Sequence, residues 1–485
     1  MLRRIDEYPD YSGYVAEIEK NGITEGLLNK IIDKHTNNAI HTKELYNRYK
    51  TREDAVPIYS RTPRFEHEGD IEELNNKVNN DFFGEITDIA VGYFAGKAAT
   101  YKYSDIDDDE SDTAIEAAKK ALGDFVTRSN MYDVNMEVTK LATICGYAGR
   151  LLYIDTDGNE RVMVVPPYET IILFNNEMTE PTAGIRYFKT VNLNDREYYK
   201  AEYYDSHNII FYEGQLGSLK QVDSKPHLFD FCPLQGVPRN RELMGDAEKV
   251  LDLIDDYDKT ISDNSNDIEG NTNAHMVFKN IVISPEEMAK ARKSGAFEFN
   301  SMSGDSDVYY LVKNVNDGFN TNHLNRLEDN IYRFSKTPNL NSEKFGTASG
   351  ISLKFKITGL ESKSGTFEAK MKSADTYMFK VLASSFNKKR IPFDYLQCDV
   401  TYCRNFPMDL VSEAQTCQQL ISAGLPKEIA FEQLSFVDDV REVMDLIEAE
   451  KDSIPSLTEE IPEDFEEENE EENEETDDET QNEAK

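Results

Sequence analysis

The residues able to do chemistry are present in this 485-residue chain, but nowhere at the spacing that chemistry needs. Gly92-Tyr-Phe-Ala-Gly-Lys-Ala98 starts like a phosphate-gripping loop, yet it lacks both the GxxxxGK[ST] spacing and the hydroxyl residue that would reach a metal ion. Seven His are scattered, and His35 with His41 is not the i,i+4 pair that holds zinc on one helix face. No GxSxG elbow occurs. Glu368-Ala-Lys370 matches the short half of a nuclease motif, but it falls on a helical pattern with no acidic strand to complete it. Asp107-Asp-Asp-Glu110 is better suited to a hydrated loop than to a cation site. The five Cys (Cys145, Cys232, Cys398, Cys403, Cys417) form no CxxC pair and sit mostly in apolar runs, as reduced thiols do. The expectation is a protein that is not an enzyme and has no metal or cofactor.

Charge and length narrow the class further. The chain is long enough for about three units, and its net charge is −39. The segment from Thr458 onward holds 16 acidic residues against one Lys, a net −15, which leaves −24 of the −39 for residues 1–457. An acidic body repels nucleic acid, so tight sequence-specific DNA binding is not expected. The Glu/Asp/Asn-rich tail of residues 458–485 has almost nothing apolar and is expected to stay disordered. No run approaches 18 apolar residues and no signal peptide is evident near Met1, so a soluble protein that is not exported by itself is expected.

The elements follow from periodicity. Helical patterns cover residues 25–50, 71–95, 113–128 and 134–146, with an acidic loop at 105–112. Residues 150–155 and 161–165, joined by a turn at Asp157-Gly158, read as a hairpin; further strands are expected at 170–174, 183–190, 198–204, 209–213 and 218–222. Leu243, Ala247, Val250, Ile254, Tyr257, Ile261 and Ile268 then mark one apolar stripe on a continuous helix of about 39 Å. An insert follows at 271–314, with strands at 274–280 and 307–313 around a short helix. Ser284-Pro-Glu-Glu287 is a capping box opening that helix, and Gly295 ends it. Asn341, Ser342, Glu343, Lys344, Phe345, Gly346, Thr347, Ala348, Ser349 and Gly350 form a Gly/Ser-rich loop that opens a second long helix to about residue 389. Its stripe is Phe367, Met371, Ala374, Met378, Leu382 and Ser385, widened by Tyr377 and Val381, with Lys363, Lys370, Lys372 and Lys380 on the other face as a solvated surface or as cations lining a channel. A strand at 393–402 is expected to rejoin the first sheet. A second capping box at Ser412-Glu-Ala-Gln415, a stop at Gly424 and Pro426, and helices at 427–434 and 438–450 complete a small helical unit.

Four stretches, taken together, resemble the portal proteins of tailed bacteriophages, in the siphovirus-like branch of Gram-positive hosts. The run from Asp255 to Glu269 is similar to that family's stem helix, and Phe345-Gly-Thr-Ala-Ser-Gly-Ile-Ser-Leu-Lys-Phe-Lys-Ile-Thr-Gly-Leu-Glu361 to its tunnel loop and following helix. Ala90-Val-Gly-Tyr-Phe-Ala-Gly-Lys97 and Ile421-Ser-Ala-Gly-Leu-Pro-Lys-Glu-Ile-Ala430 agree as well, so the resemblance spans residues 24–450. It implies an α+β portal-type subunit: a wing of helices and antiparallel sheet (1–240), a stem helix (241–270), a clip (271–313), a second stem helix (314–340), a tunnel loop (341–350), a long helix (351–390), a strand returning to the wing (391–408) and a helical crown (409–457).

The resemblance also implies a closed homo-oligomeric ring, twelve subunits in virions, at one capsid vertex. Double-stranded DNA would pass through it non-specifically, with Lys344 the cation best placed to touch it. The large terminase subunit and the head-to-tail adaptor would dock on the clip, at Val277, Phe278, Ser284, Glu287, Tyr309 and Tyr310. Major capsid and scaffolding proteins would be further partners, the host cytoplasm the place of assembly, and no membrane would be involved. The rival class is an acidic cytosolic scaffold or nucleic-acid mimic that binds a basic partner with its tail; a closed ring by mass separates the two.

Overall fold

Thr24 starts the first long helix: its hydroxyl accepts from the Leu27 amide at 3.3 Å, and the apolar face that follows is buried at Leu28, Ile31, Ile32 and Leu45. The structure, a computed structural model, describes residues 9–63, 74–104, 112–175, 180–191, 195–272, 275–281, 284–294, 307–311, 317–340, 350–405, 410–432, 434, 437 and 440–453. They fall into two compact units, Met1–Phe406 and Pro407–Lys485.

The first unit begins with helices α1 (Ser12–Asn21), α2 (Glu25–Tyr49) and α3 (Phe82–Ala95), strand β1 (Thr100–Tyr103), and helices α4 (Asp112–Arg128) and α5 (Met131–Cys145). Strands β2 (Tyr147–Ile154) and β3 (Glu160–Val165) form the expected hairpin, turning through Gly158 at φ +80°. Then come β4 (Thr170–Leu173), β5 (Ala183–Val191), β6 (Glu197–Tyr204), β7 (Asn208–Gly214), β8 (Lys220–Pro226) and β9 (Leu234–Pro238). Strands β4 to β8 make an antiparallel meander, while β2 lies between β3 and β9 in a second sheet. The strand expected at 218–222 is displaced to Lys220–Pro226, where its pairing with β7 shifts register at Phe211/Tyr212.

The chain continues with α6 (Leu251–Thr272), β10 (His275–Lys279), α7 (Pro285–Ser294), β11 (Asp307–Leu311), α8 (Asp317–Ser335), the 39-residue α9 (Gly350–Lys388) and β12 (Cys398–Thr401). The α9 stripe is as its spacing requires: Phe367, Met371, Ala374, Met378, Leu382 and Ser385 are all fully buried, with Tyr377 and Val381 beside them. They pack with Phe125, Val138 and Leu152 in the largest core cluster. A second cluster seats α2 on the sheets through Leu28, Ile31, Ile171, Ile185, Tyr203 and Leu234.

Two expectations about this unit need correction. The strand at 393–402 does not rejoin the first sheet: residues 395–397 form a 3-10 turn, and only Cys398–Thr401 is extended, pairing with β1 in a two-stranded sheet of its own. Asp394 causes the turn by accepting from the Leu396 amide at 2.9 Å. The helix expected at 71–95 begins only at Phe82, because Asp81 caps it there by accepting from Gly84 N at 2.9 Å.

The second unit holds α10 (Leu410–Ser422), α11 (Lys427–Phe431) and α12 (Val440–Ser453). Cys417, Ala430 and Leu434 form its small core. Gly424, at φ +93°, stops α10 as expected. Ser412 is not its cap, because the helix already runs from Leu410 and a Ser-x-x-Gln pattern fits a helix interior equally well. The acidic loop at 105–111, Gly295 and the tail from residue 454 lie outside the described residues.

Candidate functional site

The stripe that opens at Leu243 is interrupted at its start. Leu243 has φ +54° and sits in a turn, a 3-10 turn covers Glu248–Val250, and α6 begins only at Leu251. The hydrogen bonds explain why: Asn240 closes the turn from both ends, its amide donating to Met244 O at 2.7 Å and accepting from Met244 N at 3.0 Å. The turn also lies against the end of α5, where Asp246 N donates to Thr143 O at 2.8 Å. Gly245 permits that approach, since a Cβ there would stand 2.2 Å from Ile144 O.

Beyond the turn, Ala247, Val250 and Ile254 are buried among Leu45, Phe83, Ile86, Ile331 and Tyr332, with Tyr257 against them. Ile261 is only half-buried and Ile268 is 70% exposed, so the apolar stripe does not continue. The buried line instead runs through Asp258 and Ser262, at four-residue steps from Ile254. These polar groups hold residues 74–80 as an extended strap along α6. Asn80 N and Nδ2 donate to Asp258 Oδ1 at 2.8 and 2.9 Å, Val78 N to Ser262 Oγ at 2.9 Å, and Asn76 N to Asn266 Oδ1 at 2.7 Å. Amides that a helix from residue 71 would have satisfied internally are satisfied by α6. Burial raises the Asp258 carboxyl, against the Asn80 donors that lower it. Arg48 with Asp255 and Arg61 with Asp263 fasten the neighbouring segments to the same helix.

Helix α8 runs back along α6. Asn320 donates to Asn264 at 2.8 Å near one end, Ile254 and Ile331 share a core near the other, and Tyr332 donates to Glu85 of α3 at 2.7 Å. Between the two helices β10 and β11 pair antiparallel, matching Val277 with Tyr309, Met276 with Tyr310 and Phe278 with Val308. Val277 and Phe278 are half-buried and Tyr309 is 45% exposed. The Ser284/Glu287 box is reciprocal: Glu287 N donates to Ser284 Oγ at 3.3 Å, and Ser284 N to Glu287 Oε2 at 3.0 Å. Those backbone and hydroxyl donors hold the Glu287 carboxyl below its ordinary range.

Helices α8 and α9 are locked together where α8 ends. Lys336 takes φ +57°, and Lys363 of α9 reaches across to donate to Ser335 O and to Asp246 Oδ2, both at 2.8 Å. Arg239 grips the same carboxylate in a fork at 2.9 and 2.8 Å. Burial alone would raise Asp246; Arg239 and Lys363 outweigh it and hold the carboxyl below its ordinary value. Burial pushes Lys363 down, against the pull of Asp246. Lys363 is therefore an internal tether and not part of a solvated or channel-facing row. Lys380 pairs with Glu180 at 2.7 Å and Lys372 with Glu368 at 3.4 Å. Glu368 also takes Arg404 at 2.7 Å, so the Glu-Ala-Lys stretch serves as structural ion pairing. Ile357 and Leu360 dock α9 on Ala90 and Tyr93 of α3, whose Tyr93 hydroxyl donates to Glu361 at 2.6 Å. Of the candidate loop, Asn341 to Ser349 lie outside the described residues, and Gly350 is the first residue of α9.

Among the described residues no group of three or more His, Cys, Asp and Glu is placed to hold a metal ion, and no helix is long and apolar enough to cross a membrane. Burial pushes the Cys145 and Cys232 thiols up, Cys232 to about 12, which suits packing rather than nucleophilic work. The strap on α6, the ion cluster and the unanticipated burial of Lys363 carry no motif; only the unusual density of Asp and Asn on α6 hinted at partners for that helix.

A long helix pair with a small strand-helix-strand insert at one end, meeting a 39-residue helix at the other, is a structural subunit in architecture. The phage portal protein family, SPP1 Gp6-like, matches residues 28–456, and the chain belongs to it. The portal protein of Clostridium phage phiCD119 is 23% identical over 432 residues, covering 84% of this chain and 90% of that protein. The portal protein of Bacillus phage SPP1 is 22% identical over 404 residues, covering 78% and 76%. Membership makes the chain a phage portal protein in class, a structural component of the virion and not an enzyme.

Proposed function

We propose that this chain forms a closed ring, of twelve subunits in the virion, at one vertex of the capsid, through which double-stranded DNA is packaged and later ejected. The observation that carries this reading is membership of the portal family over residues 28–456; beside it, helices α8 and α9, which precede and follow residues 341–349 in the chain, are tied through Ser335, Asp246 and Lys363 into one base. In a ring, that base would set each segment around a central channel as the tunnel loop. Residues 1–240 and 391–408 would be the wing, 241–270 and 314–340 the stem, 271–313 the clip and 409–457 the crown. Identical subunits making head-to-tail contacts close into a ring when the rotation permits. The net −39 favours DNA sliding without capture, because phosphate-binding cations in number would make it stick.

The β10–β11 pair carrying Val277, Phe278, Tyr309 and Tyr310, in which Tyr309 is exposed, and the capped start of α7 at Ser284 and Glu287 are proposed as the clip surface that meets the large terminase subunit and then the head-to-tail adaptor. Capsid and scaffolding proteins would surround the wing during assembly in the host cytoplasm. Negative-stain imaging with a mass measurement tests the reading. Rings with a central channel are expected; a monomer or dimer at capsid-assembly concentrations would overturn it and revive the acidic scaffold.

A further inference from the structure

Helices α6 and α8 lie side by side, and the faces they turn to solvent carry opposite charge. Helix α6 holds seven carboxylates against one Lys, a net −6. Asp258 is used inward on Asn80, Asp255 on Arg48 and Asp263 on Arg61. Asp252 is exposed with no partner among the described residues, and Asp256, one turn on, is exposed with only His323 beside it at 3.3 Å. On α8, Arg326 and Arg333 fall two turns apart on one outward line, with Lys336 just beyond the helix end. All three are exposed, and none is ion-paired among the described residues; Asp329, the acid between the two arginines, pairs with neither. A merely solvated face mixes signs at three- and four-residue spacing, where opposite charges steady their own helix. Here, Lys259 and Asp329 apart, the signs are sorted by helix. The levels agree as well. Asn320 bonds Asn264, His323 pairs with Asp256, and Ile331 shares a core with Ile254. Arg326 therefore stands near the level of Asp256, and Arg333 near that of Asp252.

We propose that these two faces meet between copies of this chain, the carboxylates of α6 in one copy seated against the arginines of α8 in the next. The inference rests on the ring reading above and names the contact within it. Rotation about an axis along the helix pair carries each residue to the neighbouring copy at unchanged height, so Arg333 meets Asp252 and Arg326 meets Asp256. The two faces differ, so the contact is heterologous, the kind that closes a ring rather than a dimer. The apolar residues of this helix do not supply it, because Ala247, Val250 and Ile254 are spent inside the subunit.

The test is sedimentation of the full chain and of two charge-reversed variants, Arg326→Glu/Arg333→Glu and Asp252→Lys/Asp256→Lys. Each changes only exposed side chains and sets like charges against each other at every contact. The concentration for half-assembly should rise at least about tenfold in each variant alone, and wild-type assembly should weaken as salt is raised. An equal mixture of the two variants restores opposite charges at every contact of an alternating ring, so it should assemble near the wild-type concentration. That recovery also shows that both variants fold. Wild-type protein that forms no ring would sink the ring reading itself. Wild-type rings together with undiminished assembly of either variant, or with a mixture no better than its parts, overturn this contact alone. Undiminished assembly of the arginine variant with loss of duplex DNA retention would turn that face toward the channel instead.

Discussion

Arg150 and Asp375 meet at 2.8 Å with neither side chain exposed, fastening strand β2 to the middle of helix α9. Tyr402, just beyond β12, donates to the other carboxylate oxygen at 2.6 Å. The Gln235 amide, turned so that its oxygen faces the guanidinium, accepts twice from Arg150 at 3.0 and 3.1 Å and donates to Ala374 O. One buried polar knot thus joins β2, β9, α9 and the chain after β12 inside the largest core.

Such a knot contributes little net stability compared with apolar packing, but half of it is costly to remove. Asp375→Asn should therefore destabilise the subunit by about 3–5 kcal/mol, because Arg150 keeps a buried charge with no counter-charge. The double variant Arg150→Met/Asp375→Leu should recover most of the loss. Denaturant midpoints of the three proteins check this; a double variant as unstable as the single would show that the knot is needed for packing geometry, not charge balance.

His35 sets a pH dependence. It is buried, faces Tyr187 Oη at 2.9 Å through Nδ1, and its Nε2 accepts from Asn38 at 3.0 Å. Burial lowers its pKa from 6.5 to about 3. The folded state thus keeps a neutral ring while the unfolded chain takes up a proton, so stability is full above pH 6.5 and falls as pH drops toward 3. The slope should be about 1.4 kcal/mol per pH unit, or about 2 kcal/mol between pH 6.5 and 5. Urea midpoints at pH 7, 6 and 5 should decline less steeply in His35→Gln than in the wild type; parallel declines would assign the acid sensitivity elsewhere.

The strap along α6 predicts a local effect. In Asp258→Ala the Asn80 amide loses its acceptor, and an unsatisfied donor costs about 1–3 kcal/mol. Amide exchange at Val78 and Asn80 should accelerate by about tenfold or more, while α6 itself stays protected. Asp258→Asn keeps an acceptor oxygen and should behave nearly as the wild type. Unchanged exchange in the Ala variant would mean that Ser262 and Asn266 hold the strap without Asp258.

These same contacts show what a sequence can and cannot express. The α9 stripe was legible because its buried positions Phe367, Met371, Ala374, Met378 and Leu382 are all apolar, so period and burial coincide there, whereas the burial of Asp375 beside them carries no such signal. On α6 they part company after Ile254: Asp258 and Ser262 face inward to bond a backbone, and Ile268 faces solvent. Leu243 carries the right spacing for the stripe, but Asn240 closes a turn that periodicity does not register. Strands β1 and β9 are short, and β9 contains Gly236 and Pro238; each exists through a partner distant in the chain, β12 and β2. Lys363 looked like its neighbours because its acceptors, Asp246 and Ser335, are set by the fold. The loop itself was read from Gly/Ser-rich composition and named a tunnel loop by resemblance, and its residues 341–349 lie outside the described residues.

Gly346 and Gly350 carry the last prediction. Gly350 is the first residue of α9. Glycine permits angles that β-branched residues resist, so Gly346→Val/Gly350→Val should hold residues 341–349 in fewer conformations. Under the proposed function, a ring whose contacts lie outside this segment should still assemble and enter proheads. DNA packaging should then slow or stall before the head is full, with less nuclease-protected DNA per particle than in the wild type. Packaging at the normal rate and extent by the double variant would show that mobility of this segment is not part of translocation, and would leave the junction of Ser335, Asp246 and Lys363 as a purely static mount.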